Sequence, residues 1–470
     1  MAARPSRRRA APETGPQPEP GEVEDPLAAD KRTLAIGLAA MLGLVGVGVV
    51  SAQLFVTGGC EPIGEPVAAT AGTESVEQLL DGDAVAELEQ LLEVELASAS
   101  VVAGDADRLV PGPDGRVLTV GDVVTALDDE LIPATEVTVP GVVVGDGDTL
   151  FDVALANELT GQVDAFTAID PVTLEADGCT DTTVVGEQFA FLLDAGDGQL
   201  LQLRIDEDGD LPRAELRDRA GAISVTDLTL PAGPAGVFGD RVTGRTDGEA
   251  VVVARRVTAD DPGAAIVIAD AATGEVRDEL DRDAVAEVVE PVGGVLDLDG
   301  SLGADVALRV EALTVDGGRA WLTVRADPAE EELPEARPLL LDLDLATGEL
   351  TAHGPLDGAV VDAALGPDGV LALAVDDGEG AVLVRADAAG EAVGDVPVGE
   401  APGTPRTVRW TPDGPVLVTD AEVAVVGDDA RRRTEGLDAD VRDVLVDDAG
   451  RTLVLVRAVG RSAVLIGTPG

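Results

Sequence analysis

From about Arg108 to the end, the chain alternates short runs of Val, Leu and Ala with turns built on Asp and Gly. Apolar runs of four to six residues between turn residues predict strands rather than helices. Several runs end in an Asp, a small turn and a Glu: Asp170 to Glu175, Asp270 to Glu275, Asp344-Leu345-Ala346-Thr347-Gly348-Glu349 and Asp387-Ala388-Ala389-Gly390-Glu391. In such hairpins the Asp side chain accepts from the backbone and Gly supplies a positive φ. A second turn, Pro-Asp-Gly, occurs at Pro113-Asp114-Gly115, Pro367-Asp368-Gly369 and Pro412-Asp413-Gly414, with Asp448-Ala449-Gly450 in the equivalent place. Its proline presets the first turn position.

The strand ends Asp344, Asp387, Asp428 and Gly467 lie 43, 41 and 39 residues apart. A period of about 40–45 residues with several strands per unit predicts a β-propeller. The expectation is an all-β propeller over residues 108–470 with about seven blades, six or eight also fitting the length. The last unit offers three strands, near 440–446, 452–458 and 462–467. Closing its open edge calls for a strand from the other end, at 117–120 or 100–103.

Two segments break the strand pattern. Residues 34–56 are 23 in number and carry no charge, which predicts a transmembrane signal-anchor helix. Arg4, Arg7, Arg8, Arg9, Lys31 and Arg32 precede it, and no further Lys or Arg occurs before Arg108. The positive-inside rule then leaves residues 1–33, a Pro- and Glu-rich disordered tail, in the cytoplasm and the rest outside. Residues 57–107 read as a stalk followed by a short amphipathic helix over 74–97. Its Val76, Leu79, Leu80, Val85, Leu88, Leu91, Leu92 and Leu96 recur at helical steps. Ser75 and Gln78 have capping-box spacing, and Gly82 is placed to break the segment.

Charge narrows the partners. Ninety acidic against 32 basic residues give a formal net charge of −58, with one Lys, one His, one Asn and no Tyr in 470 residues. The six basic and six acidic groups of residues 1–33 cancel, so the imbalance belongs to the remainder. Nucleic acid is excluded, since phosphate binding needs clustered Lys and Arg. A single imidazole excludes mechanisms and metal sites that need two.

The run Val408-Arg409-Trp410-Thr411-Pro412-Asp413-Gly414 resembles the W-[ST]-P-D-G element of bacterial WD-like propellers of the Tol-associated type. The D-x-x-T-G-E turns resemble those of YVTN and quinoprotein-like propellers. The resemblance covers about residues 336–470 and implies the same ring fold. Asp344, Gly348, Asp387, Gly390, Trp410, Pro412, Asp413 and Gly414 are then structural blade-turn residues.

Other residues carry chemistry in outline. Cys60 and Cys179 are the only cysteines. A bond between them leads over two free thiols and over a Cys60–Cys60 link between chains. Asp206, Asp208 and Asp210, or Asp297, Asp299 and Asp305, alternate as Ca²⁺ ligands do, though Arg217 stands where an EF-hand needs Glu. Solvated hairpin turns are the favoured reading of both runs, and no other cofactor is implied. His353 beside a turn has no nucleophile near it in sequence. The function expected is a membrane-anchored, extracytoplasmic binding or scaffolding module of the cell envelope, partnered by a protein or an envelope polymer. The alternative is an envelope hydrolase or lyase using Asp/Glu or Ca²⁺. An acidic cluster with raised carboxylate pKa values at the channel mouth would favour the enzyme; an evenly charged face would favour binding.

Overall fold

The computed structural model describes residues 63–470 except 71, 147–148, 158–161, 182–188, 197–198, 206–212, 219–220, 224–241, 259–263, 293–306, 328–336, 367–368, 387–399, 402, 427–430, 435–438, 459 and 470. Its architecture is all-β and propeller-like: antiparallel meanders, mostly of four strands, follow one another along the chain. The first strand of most meanders packs against the first strand of the next, and the succession closes where Asp440–Val446 meets Ala106–Pro111.

Closure uses the N-terminal side. Val94–Val102 pairs antiparallel with the last strand, Arg461–Pro469, in a sheet that continues through Thr452–Ala458 to Asp440–Val446. Ala99 lies opposite Leu465 and Val101 opposite Ala463. Of the two closing segments expected, the one containing 100–103 serves. Residues 117–120 instead belong to the neighbouring 106–138 meander.

The sheets are less uniform than a ring of about seven separate blades. The 242–280 and 307–355 meanders form one eight-stranded sheet, because the strand Ala250–Val257 runs past its own meander and pairs Arg256 with Arg309 and Val257 with Leu308. Apolar layers fill the gaps between successive sheets. Across the closure, Leu109, Val117 and Leu127 pack on Leu453, Leu455 and Val464. Trp321, Leu340 and Leu356 similarly meet Leu371, Leu373 and Val375. Burial of this kind supplies most of the favourable free energy of folding.

The predicted helix over 74–97 is present in two pieces, Val76–Leu79 and Gly82–Leu92. The Gln78 side chain accepts from the Ser75 amide, and Asp81 caps the second piece by accepting from Ala84. Glu93 is left-handed (φ 54°) and ends the helix, so residues 94–97, expected as helix, extend the closing strand. Leu88, Leu91 and Leu92 pack on Val416, Val425, Val444 and Val456 of the last two sheets.

The expected membrane placement is corrected. Among the described residues no helix is long and apolar enough to cross a membrane. The helices described have 4, 11 and 8 residues, against about 20 for a span. The expected anchor, 34–56, lies outside the described residues, as does the 1–33 tail. The single-pass anchor, the membrane-embedded partnership and the extracytoplasmic localisation therefore leave the account.

Candidate functional site

Two polar depressions stand out, and they are built differently. One lies where the first strands of the 359–401, 405–433, 440–469 and 106–138 meanders approach one another. Each of these strands shifts register at the same place: between Val360 and Asp362, Pro405 and Thr407, Val441 and Asp443, and Ala106 and Arg108. A bulge inserts one residue and re-aims its neighbours. Here it brings Val361, Arg406, Arg442 and Asp107, together with Asp362 and Asp443, to a depression of about 480 Å³.

The residue after each bulge ties one sheet to the next. Asp362 accepts from the hydroxyl and amide of Thr407 and Val408, at 2.8 and 2.9 Å. Asp443 does the same across the closure, taking the Leu109 amide at 2.8 Å. Between two earlier meanders Thr243, on a strand without a bulge, accepts from the Ala312 amide. Asp443 is 1% exposed. Its other oxygen takes the Val444 amide and lies 3.3 Å from the Arg409 Nε. Burial raises its pKa, opposed by Arg409 and by the Leu109 and Val444 N–H groups.

The surrounding charges cancel in pairs. Arg409 also reaches Asp362, Arg406 and Arg442 both bind Asp440, and Arg442 faces Asp107. A carboxylate with raised pKa at the inner strands is what an enzyme would need. This one is sealed, and its oxygens are already occupied by donors. The arrangement holds sheets in register.

The second depression, of about 570 Å³, lies between the 307–355 and 359–401 meanders. One wall carries Arg309 and Glu311 on Ala307–Asp316, with Thr323 and Arg325 on Arg319–Asp327. The facing wall carries Asp357, Ala359, Asp376 and Asp377. Arg309 lies 2.5 Å from Glu311 without the alignment of a hydrogen bond. Arg337 pairs with Asp357, both well exposed. Arg325 has no side-chain partner among the described residues. The volume is in the range of small-ligand pockets.

The turn residues behave as structural elements. Asp344 accepts from Ala346 and Thr347 and, through its carbonyl, from Gly348, whose φ is 71°. Asp170 and Asp270 repeat that pattern, with Leu174 (φ 58°) and Gly274 in the left-handed position. Trp410 donates its indole N–H to the Ala364 carbonyl at 3.0 Å and so ties its strand to the preceding meander. Pro412 and Asp413 form the tight turn that ends at Gly414, φ 120°. Asp387 and Gly390 lie outside the described residues.

The remaining candidates lie mostly outside the described residues. Cys179 is exposed and disulfide-bonded, while Cys60 lies outside the described residues. The carboxylates Asp206, Asp208, Asp210, Asp297, Asp299 and Asp305 also lie outside. Among the described residues no group of three or more His, Cys, Asp or Glu could hold a metal ion. The Ca²⁺-dependent hydrolase or lyase alternative is corrected accordingly. His353 is not in a loop: it lies buried on the strand Leu350–Pro355 against Trp321, ring centroids 5.9 Å apart.

Sequence reading missed the two features that organise these depressions. Asp362, Thr407, Asp443 and Arg108 each stand seven residues before a turn glycine, at Gly369, Gly414, Gly450 and Gly115. That recurrence was a usable signal. The arginines of the cavity were visible only as charges inside apolar runs, such as Leu308-Arg309-Val310 and Val324-Arg325-Ala326.

No protein-family profile matches the chain, and no curated protein matches it in sequence. Among solved structures it is similar to an oligogalacturonate lyase in complex with manganese, at 13% identity and TM-score 0.40, over 87% of this chain and 98% of that one. It is also similar to Saccharomyces cerevisiae Sqt1, at 12% identity and TM-score 0.40, over 77% and 96%. The Neurospora crassa Pan2 WD40 domain matches at 9% identity and TM-score 0.36, over 78% and 90%. Likenesses this distant carry nothing about ligand or reaction, and the fold rests on the sheet topology above.

Proposed function

We propose that this chain is a propeller-like binding domain that acts without covalent chemistry and seats a small ligand between the 307–355 and 359–401 meanders. The observation that carries the reading is a contrast between the two depressions. At the inner strands the carboxylates are spent on sheet-to-sheet ties. In the cavity a half-buried guanidinium, Arg325, has no partner among the described residues and lies beside about 570 Å³ of space. Ligand sites are concave and carry a few convergent polar groups against a preformed wall, which describes the second depression and not the first.

Ala359 is exposed and lines this cavity, so Ala359→Trp should fill it at little cost to the fold. A library of small metabolites screened by thermal shift should yield compounds that stabilise the wild type and lose their effect in Ala359→Trp. Mass spectrometry should recover them unchanged. Compounds that stabilise both proteins equally, or that return as products, would overturn the reading.

A further inference from the structure

The cavity wall contains an arrangement that its own sheet does not explain. Arg256 stands directly opposite Arg309, and Arg309 directly opposite Arg325, across two successive antiparallel pairs. Directly opposed residues share one face of a sheet, so three arginines form a row across three strands. Like charges in that relation destabilise a sheet. The chain holds only 32 basic residues against 90 acidic ones, yet no acidic residue neutralises Arg325 among the described residues.

The facing wall restricts what could neutralise it. Asp376 gives one oxygen to the Gly378 amide, and its other has no hydrogen bond among the described residues. Asp377 accepts from Glu379 and Gly380, and Asp357 is held by Arg337 at 2.8 Å. A polyanion filling the cavity would meet these carboxylates. A ligand with a carboxylate at one end and hydrogen-bond donors at the other would satisfy both walls.

We propose that the cavity binds a small hydroxy acid or amino acid, its carboxylate placed on the guanidiniums of Arg325 and Arg309 and its hydroxyl or ammonium donors on Asp376. The planar fork of Arg matches a carboxylate in a bidentate way, which Lys cannot reproduce. This rests on the binding-domain reading above and names the ligand class of the same site. Gly358 shapes the facing wall: a Cβ there would sit 2.0 Å from the Asp376 carbonyl oxygen, so the chain before Ala359 and the end of the neighbouring strand at Asp376 can approach only without a side chain.

The test is calorimetric and thermal-shift titration with gluconate and glutamine, using sorbitol as the carboxylate-free control, at constant ionic strength set with sodium chloride. Saturable binding of gluconate or glutamine, absent for sorbitol, is expected. Arg325→Gln should weaken it at least tenfold and leave the ligand-free melting temperature unchanged or higher, since a repulsion has been relieved. Should Arg325→Gln not fold, Arg325→Lys serves, with several-fold weakening expected. The carboxylate assignment is overturned if neither probe saturates, if Arg325→Gln binds as the wild type does, or if sorbitol binds equally well. If sorbitol binds equally and Ala359→Trp still blocks it, only the carboxylate assignment fails. If Ala359→Trp leaves all binding intact, the cavity reading itself fails.

Discussion

Replacing Asp443 with Asn keeps the shape of the side chain and changes only what its polar atoms can do. In the native domain both oxygens accept, one from Leu109 across the closure and the other from Val444, beside the Arg409 guanidinium at 3.3 Å. An amide offers one acceptor and turns an NH₂ group toward the other donor. One buried N–H then loses its partner, at about 1–3 kcal/mol. Arg409 loses the charge beside it, a further cost limited by its remaining contact with Asp362. Removing the burial penalty that raises the Asp443 pKa offsets part of this. A net loss of about 2–4 kcal/mol is expected. Urea denaturation followed by circular dichroism measures it, and hydrogen exchange of the Leu109 amide reports the tie itself. Asp440→Asn is the control, because its pairs with Arg406 and Arg442 are partly solvated and should change stability by less than about 1 kcal/mol. Because Asp443 binds its proton more readily folded than unfolded, its own contribution to stability falls as pH rises through the raised pKa. The gap between wild type and Asp443→Asn should therefore narrow in that direction. Equal stability of the two variants, with Leu109 still protected, would refute the argument that this carboxylate is structural.

Three further outcomes are expected. Gly366→Ala would place a Cβ 2.6 Å from the Trp410 ring and should lower the melting temperature, and Trp410→Phe should lower it too, losing the bond to Ala364, worth about 1 kcal/mol, together with part of the ring beneath Arg385. Arg277 and the Thr273 backbone hold the Asp270 pKa down to about 2, and the Thr347 amide lowers that of Asp344. A depressed carboxylate stabilises above its unfolded pKa and is lost as pH falls through the folded one. Stability should thus decline between about pH 4 and pH 2, and a denaturation series on Asp270→Asn should show a shallower decline. Since Cys179 is disulfide-bonded and Cys60 is the other cysteine of the chain, peptide mapping without reductant should recover a Cys60–Cys179 link. Closing a loop of about 120 residues, that bond is worth about 4–5 kcal/mol in the chain-entropy model, so reduction should lower stability measurably.

Much of the fold was legible because turn chemistry is local. Asp344, Thr347 and Gly348 specify their hairpin within six residues, and the same letters at Asp270 and Gly274 build the same turn. The helical steps of Leu88, Leu91 and Leu92 were equally local. The end of that helix was not, since Leu96 fits a helical stripe but is drawn into pairing with Gly467, far away in sequence. The merging of two meanders through Arg256 and Arg309 is likewise a tertiary event without a local mark. The site was less legible for the same reason. Arg309 and Arg325 become neighbours only once a hairpin register is set. Charge density gave no pointer to the cavity, because the proposed ligand contacts are made by two of the few cations in an acidic chain.

The most direct test of the account is an NMR titration that observes the arginine Nε–H groups while gluconate is added. The account predicts that the Arg325 and Arg309 signals shift together and saturate, while those of Arg406, Arg409 and Arg442 stay in place. Shifts confined to those three, or no saturable shift at Arg325, would contradict it.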